Sequence, residues 1–371
     1  MRLLWSLEQK KEEGGCFGIL CDAMQTSLLN LCGPSLRDDF NAQRSLLTKL
    51  DMISNKLKLE TKESCKIQLL KEELNVLDGE LLQHHVRIPF RPGLLLAGVD
   101  ARRSKFYHSL NQPLRICFQS VRLSFDLIFK SGDDLRQDAM VLQLMSLMDY
   151  LWLRDGLDLR MAIFNTLSTG NKKGTFNGWT IRVFYIEKTG TNLNCVLLVS
   201  KTESTKFIAG ILEVMKDSKT LREIQLEEGG VAGVLRDDLI KRWLQKQNSS
   251  ELDYEIALRN FRGSCAGWCV GTYILGVCDR HNDNILITPR GHLFHIDFGK
   301  YLGDAQMFGS FRRDRVPFLL TSDMFYAINA GQTDKTAYFQ EFVDLCCQSF
   351  NIVRKHSVLF VNLIKLVSVK W

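Results

Sequence analysis

The first quarter of the chain carries apolar residues at the three- and four-residue spacing that predicts amphipathic helices. One series is Leu46, Leu50, Ile53 and Leu57, and the next is Ile67, Leu70, Leu74, Leu77 and Leu81. The pattern stops at Pro89, Pro92 and Gly93, residue types that end helices. We therefore predict a helical domain over residues 1–83 and a linker over residues 84–100.

Beyond residue 113 the apolar period changes to two, which is typical of half-buried strands. The alternating residues are Leu114, Ile116 and Phe118, followed by Leu123, Phe125, Leu127 and Phe129. Helical patterns return at 138–151, 237–244 and 254–275. This order predicts an α+β fold in which a β-rich part precedes a helix-rich part.

Two neighbouring polar motifs carry the strongest chemical signal. Asp-Arg-His-Asn-Asp-Asn occupies 279–284, and His-Ile-Asp-Phe-Gly occupies 295–299. The residues between them, centred on Pro289-Arg-Gly, predict a hairpin that brings Asn284 close to Asp297. An amide oxygen and a carboxylate are hard ligands of the kind that Mg²⁺ takes. Protein kinases hold their metal with the same pair, although their loop reads His-Arg-Asp where this one reads Asp-Arg-His.

A predicted strand delivers Lys130 just before a turn at Gly132 and a helix that begins near Asp138. Because strand residues alternate, Lys130 lies on the face opposite the apolar residues of its strand and can reach a phosphate. The acidic turn and the helix that follow give it possible partners, with Asp138 as one candidate, much as a helix glutamate is the partner of the strand lysine in protein kinases. We predict that Lys130 binds nucleotide phosphates.

Composition and charge narrow the class of protein. The 371 residues are 45% hydrophobic with a net charge of +6, which suits a globular protein that meets anionic partners, either membrane or nucleic acid. The 11 cysteines include no Cys-x-x-Cys pair, so we expect reduced thiols and no metal cluster. We expect no signal peptide at the start, and residues 358–367 are too short an apolar stretch to span a membrane.

Gly-Asp-Asp-Leu-Arg-Gln-Asp at 132–138, together with the motifs at 279–284 and 295–299, resembles the phosphoinositide 3-kinase family. The likeness runs from roughly residue 36 to residue 366 and is greatest to class II enzymes, and among these to the gamma isoform. It implies a two-lobed kinase fold preceded by the end of a helical domain. The β-rich N-lobe would span 101–215, and the helical C-lobe would span 216–371 and be truncated at its C-terminus.

The resemblance also implies roles for individual residues. Lys130, Asp279 and His281 would be catalytic, the histidine as a base or a charge stabiliser beside the attacking hydroxyl. Asn284 and Asp297 would hold Mg²⁺. ATP would be bound by one set of residues: Lys130, Ser109 of a phosphate loop over 106–112, Asp138, and the hinge residues Glu213, Val214 and Met215.

The family's activation loop would match residues 297–317 and would contact the lipid headgroup through four basic residues: Lys300, Arg312, Arg313 and Arg315. Class I members carry a further lysine-rich box, whereas residues 304–307 have no positive charge here. The resemblance therefore implies a cytoplasmic enzyme, peripheral on membranes, that phosphorylates the 3-hydroxyl of phosphatidylinositol or its 4-phosphate. Its cofactors would be ATP and Mg²⁺, and its partner a phosphoinositide at a membrane surface and no nucleic acid. The sequence does not identify adaptor or trafficking proteins as partners.

Two other functions stay open. Related large kinases of the same superfamily phosphorylate protein, but they lack the basic cluster at 312–315. The second alternative is a catalytically impaired fragment or splice form that acts as an interaction module. It is supported by the stretch from Thr175 to Gly210, which interrupts the resemblance as an insertion between two strands that the family joins by a short turn. Strand-like patches occur within it at 179–185 and 196–199.

Overall fold

The computed structural model describes residues 1–11, 15–120, 123–169, 178–186, 194–202, 209–230, 236–302, 304, 307–308, 311–312 and 318–368. The chain divides into two compact units. The first comprises Met1–Ala139, Phe164–Thr180 and Ser200–Val214. The second comprises Met140–Ile163, Ile181–Val199 and Met215–Trp371.

Helices open the first unit: α1 (Arg2–Lys11), α2 (Gly15–Leu31), α3 (Pro34–Leu59) and α4 (Glu63–Gln83). The predicted apolar spacing is confirmed in α3 and α4. The buried residues are Leu46, Leu50, Ile53 and Leu57 in α3 and Leu70, Leu74, Leu77 and Leu81 in α4. Ile67 is exposed instead, which makes its prediction as a core residue wrong.

The sheet of the first unit begins with β1 (Val86–Ile88), β2 (Arg91–Phe106), β3 (Leu114–Ser120), β4 (Ser124–Ser131) and β5 (Thr166–Ser168). Strands β6 (Gly178–Ile186) and β7 (Asn194–Thr202) pair with each other, which confirms the strand-like patches. Strand β8 (Ala209–Glu213) then completes an antiparallel sheet in the order β1-β2-β3-β4-β8-β5. The predicted insertion therefore ends too late, because residues 209 and 210 belong to this sheet.

The predicted linker over residues 84–100 is wrong, because most of it is strand. Ile88 pairs with Arg91, so the two residues between them form the turn of a β1–β2 hairpin. Leu96 of β2 and Leu74 of α4 are fully buried in one hydrophobic core. The helices and the sheet therefore share a single core, where a helical domain joined by a linker was expected.

The second unit contains most of α5 (Arg136–Arg154), then α6 (Leu221–Gly229), α7 (Leu239–Gln247), α8 (Glu251–Ile274), α9 (Ser322–Ile328), α10 (Ala337–Lys355) and α11 (Ser357–Ser368). Its small sheet has the order β11-β10-β9, formed by β9 (Lys219–Thr220), β10 (Ile285–Ile287) and β11 (Leu293–His295). A further pair consists of β12 (Met307–Phe308) and β13 (Phe311–Arg312).

These elements confirm the α+β fold class and the three predicted helices that correspond to α5, α7 and α8. One difference concerns α5, which belongs mostly to the second unit although the predicted N-lobe ran without a break over 101–215. Over the described ranges, no helix is both long enough and apolar enough to cross a lipid bilayer.

Candidate active site

Lys130 lies near the end of β4, on the strand face that points away from the apolar core. Burial alternates along the strand, with Phe125, Leu127 and Phe129 buried and the Lys130 side chain 23% exposed. The predicted face is thereby confirmed. The Lys130 Nζ atom lies 3.7 Å from Oδ2 of Asp133, so the acidic turn after the strand supplies an ion-pair partner.

The turn after Lys130 is anchored to helix α3. The hydroxyl of Ser131 donates to Asp51 Oδ1 at 2.7 Å, and Lys58 Nζ donates to the Ser131 carbonyl at 2.7 Å. These two bonds fix the backbone next to the lysine. Asp138 is buried in the first turn of α5, and its pairing with Lys130 stays a prediction.

The predicted phosphate loop, residues 106–112, contains the connection of the β2–β3 hairpin. It includes a turn in which the Gln112 N–H donates to the Ser109 carbonyl at 3.0 Å, with Ser109 exposed. Asn111 Nδ2 donates to the Asp133 carboxylate, the same group that faces the strand lysine. Asp133 belongs to the acidic turn that the sequence predicts as a source of partners for Lys130. Asn111 is not predicted from the sequence alone, because nothing in it shows that residues 22 positions apart meet.

The predicted hinge uses two of its three backbone N–H groups inside the protein. The Glu213 N–H donates to the Asn165 carbonyl at 2.8 Å, and the Val214 N–H donates to the Asp126 carbonyl at 3.0 Å. Within the described ranges, the Met215 N–H has no hydrogen-bond acceptor. Of the three groups, it is the donor that the hinge leaves for a ligand.

The side chain of Glu213 also has its hydrogen-bond and ion-pair partners within the protein. Its buried carboxylate accepts hydrogen bonds from the backbone N–H of Asn165 at 3.1 Å and from Nδ2 of Asn165 at 2.7 Å, and it pairs with Arg91 of β2. The Arg91 guanidinium lies 5.5 Å from the centre of the Phe125 ring. Glu213 thus joins the hinge strand to two other segments of the first unit.

In the second unit the predicted hairpin is confirmed as β10 followed by β11. Ile285 faces His295 in antiparallel register. The connecting turn requires glycine at Gly291, which has a φ of 86°. A Cβ atom there would lie 2.0 Å from the carbonyl oxygen of Ala257, so the turn also packs against α8.

The hairpin brings Asn284 and Asp297 to its open end, where the Ile296 N–H donates to the Asn284 carbonyl at 3.0 Å. Asn284 Nδ2 donates to the Asp279 carbonyl at 3.0 Å. Among the described residues, neither Asn284 Oδ1 nor the exposed Asp297 carboxylate has a hydrogen-bond or ion-pair partner. An amide oxygen and a carboxylate in this state fit Mg²⁺, which takes hard oxygen ligands and retains waters or phosphate oxygens.

Two residues of the candidate site lie in the left-handed backbone region: Asp279, before the hairpin, has a φ of 58°, and Asp297, just after it, has a φ of 59°. Non-glycine residues rarely adopt it, and such conformations cluster at functional sites. His281, 37% exposed at its side chain, accepts a hydrogen bond at Nδ1 from the Asp283 N–H at 3.3 Å. A neutral imidazole that accepts at Nδ1 carries its proton on Nε2.

Arg280 is a site residue for which the sequence predicts no role. Its guanidinium donates to three backbone carbonyls: Cys278 at 3.0 Å, Ile296 at 2.7 Å, and Asp297. It also lies 5.5 Å from the centre of the Phe298 ring. The motif at 279–284 contains Arg280, but only the fold shows that this side chain binds the backbone of Ile296 and Asp297.

An aromatic stack packs beside that segment. The Trp268 ring lies parallel to the His295 ring at 5.3 Å and to the Phe298 ring at 6.0 Å, measured between ring centres. Complete burial, together with the positive charge of Arg280, holds the pKa of His295 well below its usual value. The imidazole is therefore neutral and contributes to packing.

The predicted headgroup residues are only partly within the described ranges. Lys300 Nζ donates to Asp304 Oδ2 at 2.9 Å, so its charge is balanced within the protein. Arg312 belongs to β13, which pairs with β12. Arg313 and Arg315 lie outside the described residues, and the basic cluster stays a prediction.

Comparison with known proteins finds one matching family model, described as phosphatidylinositol 3- and 4-kinase, over residues 124–370. Phosphatidylinositol 3-kinase piki-1 of Caenorhabditis elegans is 38% identical over 373 residues, which cover 99% of this chain and 21% of the relative. The human phosphatidylinositol 4-phosphate 3-kinase C2 domain-containing subunit beta is 40% identical over 355 residues, covering 95% of this chain and 19% of the relative.

The human phosphatidylinositol 3-kinase C2 domain-containing subunit gamma is 38% identical over 371 residues, covering 99% of this chain and 22% of the relative. The chain therefore spans about a fifth of the length of these relatives. Identities of 38% to the gamma subunit and 40% to the beta subunit do not favour the gamma isoform.

Proposed function

Because the chain belongs to the phosphatidylinositol 3- and 4-kinase family, we propose that it carries the catalytic region of a lipid kinase. The reaction we propose is transfer of the γ-phosphate of ATP to the 3-hydroxyl of phosphatidylinositol or phosphatidylinositol 4-phosphate. The predicted likeness to class II enzymes is confirmed, since C2 domain-containing 3-kinase subunits are among the relatives. The names of these relatives support both lipids as substrates.

The observation that carries this proposal is the pair of oxygen ligands at the open end of the hairpin, Asn284 Oδ1 and the Asp297 carboxylate, which have no partner among the described residues. These residues would hold Mg²⁺, which when bound neutralises charge on the phosphates of ATP. The protein's own contribution is to present both oxygens with little reorganisation. Arg280 binds the backbone carbonyl of Asp297, and the Asn284 side chain is oriented by the hydrogen bond from its Nδ2 to the Asp279 carbonyl.

The hydrogen bond at Nδ1 of His281 bears on its two predicted roles. Because Nδ1 accepts from the Asp283 N–H, a neutral ring has its hydrogen on Nε2. Nε2 can then donate a hydrogen bond to a substrate group. A donor stabilises negative charge on an attacking oxygen or on the transferring phosphoryl group, whereas a base needs a free lone pair. The geometry favours His281 as a charge stabiliser.

We assign Lys130 to the ATP phosphates and Ser109 of the exposed loop to a second phosphate contact. The Met215 N–H, which has no acceptor within the described ranges, is the assigned donor to adenine. Glu213 and Val214 then support the hinge through their internal bonds. Asp138 remains a proposed partner of the lysine.

Headgroup specificity is proposed from charge. The pairing of Lys300 with Asp304 removes one cation from the headgroup set and leaves the arginine cluster at 312–315 as its main source of positive charge. One compact cluster suits a single phosphate better than two. We therefore assign phosphatidylinositol and its 4-phosphate as substrates in preference to the 4,5-bisphosphate. A net charge of +6 supports peripheral binding to anionic membranes.

The test is transfer of radiolabelled phosphate from ATP to vesicles of the three lipids at equal surface density, with Asp297→Asn as the control. We expect labelling of the first two lipids and a loss of several orders of magnitude in Asp297→Asn. Turnover of Asp297→Asn within about tenfold of the parent, ~1.4 kcal/mol, would overturn the metal assignment. A preference for the bisphosphate would overturn the headgroup assignment. Absence of labelling would favour the interaction-module alternative.

A further inference from the structure

The residues on either side of His281 bind different parts of the second unit: Arg280 binds the start of the activation loop, and Asn282 binds helix α6. On one side, Arg280 donates to the carbonyls of Ile296 and Asp297 at the start of that loop. A backbone hydrogen bond also joins the two segments, because the Cys278 N–H donates to the Lys300 carbonyl at 2.8 Å. The start of the loop is therefore bound to the segment that precedes His281.

On the other side, Asn282 is attached to helix α6. Its Nδ2 donates to Gln225 Oε1 at 2.9 Å, and its carbonyl accepts from the Arg222 N–H at 3.1 Å. Gln225 is 7% exposed, so its amide has little access to solvent partners. The orientation of the Gln225 amide therefore decides whether the side-chain amide of Asn282 has its acceptor.

The same Gln225 amide reaches beyond the activation loop. Its Nε2 donates to Asp323 Oδ2 at 3.0 Å, and Asp323 is 3% exposed at the start of α9. The other oxygen, Asp323 Oδ1, accepts from the Met324 N–H at 2.9 Å and from the hydroxyl of Thr321. Each carboxylate oxygen thus has a protein partner, as a buried charge requires.

We propose that Gln225 and Asp323 are positioning residues that link the catalytic loop to the segment leading out of the activation loop. The proposal rests on the proposed function, because it concerns the residue that flanks His281. A change in the segment that follows the headgroup-binding loop is then transmitted to Asn282 through two hydrogen bonds, of which the Gln225–Asp323 bond is buried and the Asn282–Gln225 bond is partly buried. The position of His281 is set from both ends of the activation loop.

The Gln225–Asp323 hydrogen bond has a defined donor, Gln225, and a defined acceptor, Asp323, and this direction gives a specific test. Gln225→Glu keeps the shape of the side chain and its acceptor for Asn282 but places a carboxylate against Asp323. The double variant Gln225→Glu/Asp323→Asn restores one donor and one acceptor with their direction reversed. Gln340→Glu is the matched control, because Gln340 Nε2 donates to Asp344 at 2.9 Å in an exposed pair on α10.

Two readouts are taken on the full chain: steady-state phosphorylation of phosphatidylinositol vesicles, and hydrogen–deuterium exchange of residues 279–284. For Gln225→Glu we expect kcat to fall at least tenfold, KM for ATP to stay within twofold, and exchange of the catalytic loop to rise. The double variant should return kcat to within threefold of the parent. Gln340→Glu should behave as the parent in both readouts.

Unchanged exchange of residues 279–284 in Gln225→Glu would overturn the proposal, whether or not the chain phosphorylates lipid. Equal losses of kcat in the single and double variants would also overturn it, because polarity would then be irrelevant. If the parent is inactive on every lipid, the proposed function fails, and the exchange data alone still decide the Gln225 link. If Gln225→Glu does not fold, Asp323→Asn alone replaces it, with the same expected direction of both readouts.

Discussion

At the scale of one side chain, the proposed role of Lys130 rests on the position of its ammonium group, which lies near an acidic turn and on the polar face of its strand. Lys130→Met keeps the length of the side chain and removes the charge. We expect phosphoryl transfer to fall by several orders of magnitude, since such reactions depend on neutralising the negative charge of the transferring group. The measurement is the initial rate of ATP-dependent lipid phosphorylation.

The control for this prediction is Lys71→Met, which makes the same change at an exposed position of α4. It should leave the rate within twofold of the parent. If Lys130→Met retains more than a tenth of the parent rate, Lys130 is a structural surface lysine and the phosphate assignment is wrong.

Asp149 provides a prediction about pH. Burial, reinforced by the charge of Asp158, raises the pKa of Asp149 to about 6 from a usual value near 3.8. The folded state therefore favours the neutral carboxyl, and the stability associated with it is lost as pH rises from about 4 through 6. Asp149→Asn should be more stable than the parent at pH 7.5 by about 1 kcal/mol, after allowance for solvent screening.

Thermal melting at a series of pH values tests this expectation. The difference in melting temperature between Asp149→Asn and the parent should shrink as pH falls from 7.5 and disappear near pH 4. A constant difference across the series would mean that packing of the amide, and not ionisation of Asp149, accounts for it.

Site residues that belong to short motifs are predictable from the sequence, whereas residues that act through long-range contacts are not. The strand face on which Lys130 lies follows from the alternation of residues along a strand. The proximity of Asn284 to the segment that contains Asp297 follows from a single predicted hairpin. Gln225 lies 57 positions from Asn282 and 98 from Asp323. No local pattern encodes such pairings, because they depend on how distant helices pack.

At the scale of elements, strands β5 and β8 show where the predicted insertion leaves and re-enters the sheet. The Thr169 N–H donates to the Ala209 carbonyl at 2.8 Å, and the Thr169 hydroxyl donates to the same oxygen at 2.9 Å. Ser168 pairs directly with Gly210. The two ends of the insertion are therefore already as close as the ends of a short hairpin loop.

We predict that deleting residues 172–206, which leaves residues 170, 171, 207 and 208 as the connection, preserves the fold. Shortening the loop several-fold gains only ~1–2 kcal/mol in closure entropy, or an increase of about 2–4 °C in melting temperature. We also expect higher solubility and stronger stabilisation by ATP. Differential scanning fluorimetry with and without ATP·Mg²⁺ measures both effects.

The control deletion extends further, through Gly210. It should be destabilised, because Gly210 lies opposite Lys130, and a Cβ atom in its place would lie 2.5 Å from the Leu135 side chain. Equal melting temperatures and equal ATP affinities for the parent and the shorter deletion would show that the insertion is a tolerated loop and does not impair the chain.

Element types follow from the sequence where the period is regular, as in α3, α4, β3 and β4. The linker prediction was wrong because prolines such as Pro89 and Pro92 occur in tight turns and at strand starts as well as in linkers. One proline lies in a two-residue turn and the other at the start of β2, both of which are places where a missing N–H is tolerated. A tight turn and a linker share their composition, and only the pairing of the flanking strands separates them.

At the scale of the whole molecule, the shared core of helices and sheet predicts that the first 83 residues cannot be removed. Leu50 and Leu74 are fully buried in the same core as Leu96 and Phe118 of the sheet. A chain that begins at residue 84 would expose this apolar surface to water. We expect it to lose cooperative thermal unfolding and near-ultraviolet circular dichroism, and to bind a hydrophobic dye.

Two point variants of the intact chain measure how much the buried face of α4 contributes to stability. Leu74→Ala should cost about 2–5 kcal/mol of folding free energy, whereas Leu82→Ala, on the exposed side of the same helix, should cost little. If the chain from residue 84 melts cooperatively at the parent temperature, the helices form an independent domain after all.

The stack formed by Trp268 with His295 and Phe298 has a spectroscopic consequence. Indole emission depends on the groups in contact with the ring, and one of these groups is the phenylalanine that follows Asp297, the proposed metal ligand. Trp268 is one of six tryptophans in the chain. Replacing the other five with phenylalanine would leave an intrinsic optical probe in the protein interior, and its emission would report the conformation of Asp-Phe-Gly in real time as nucleotide binds.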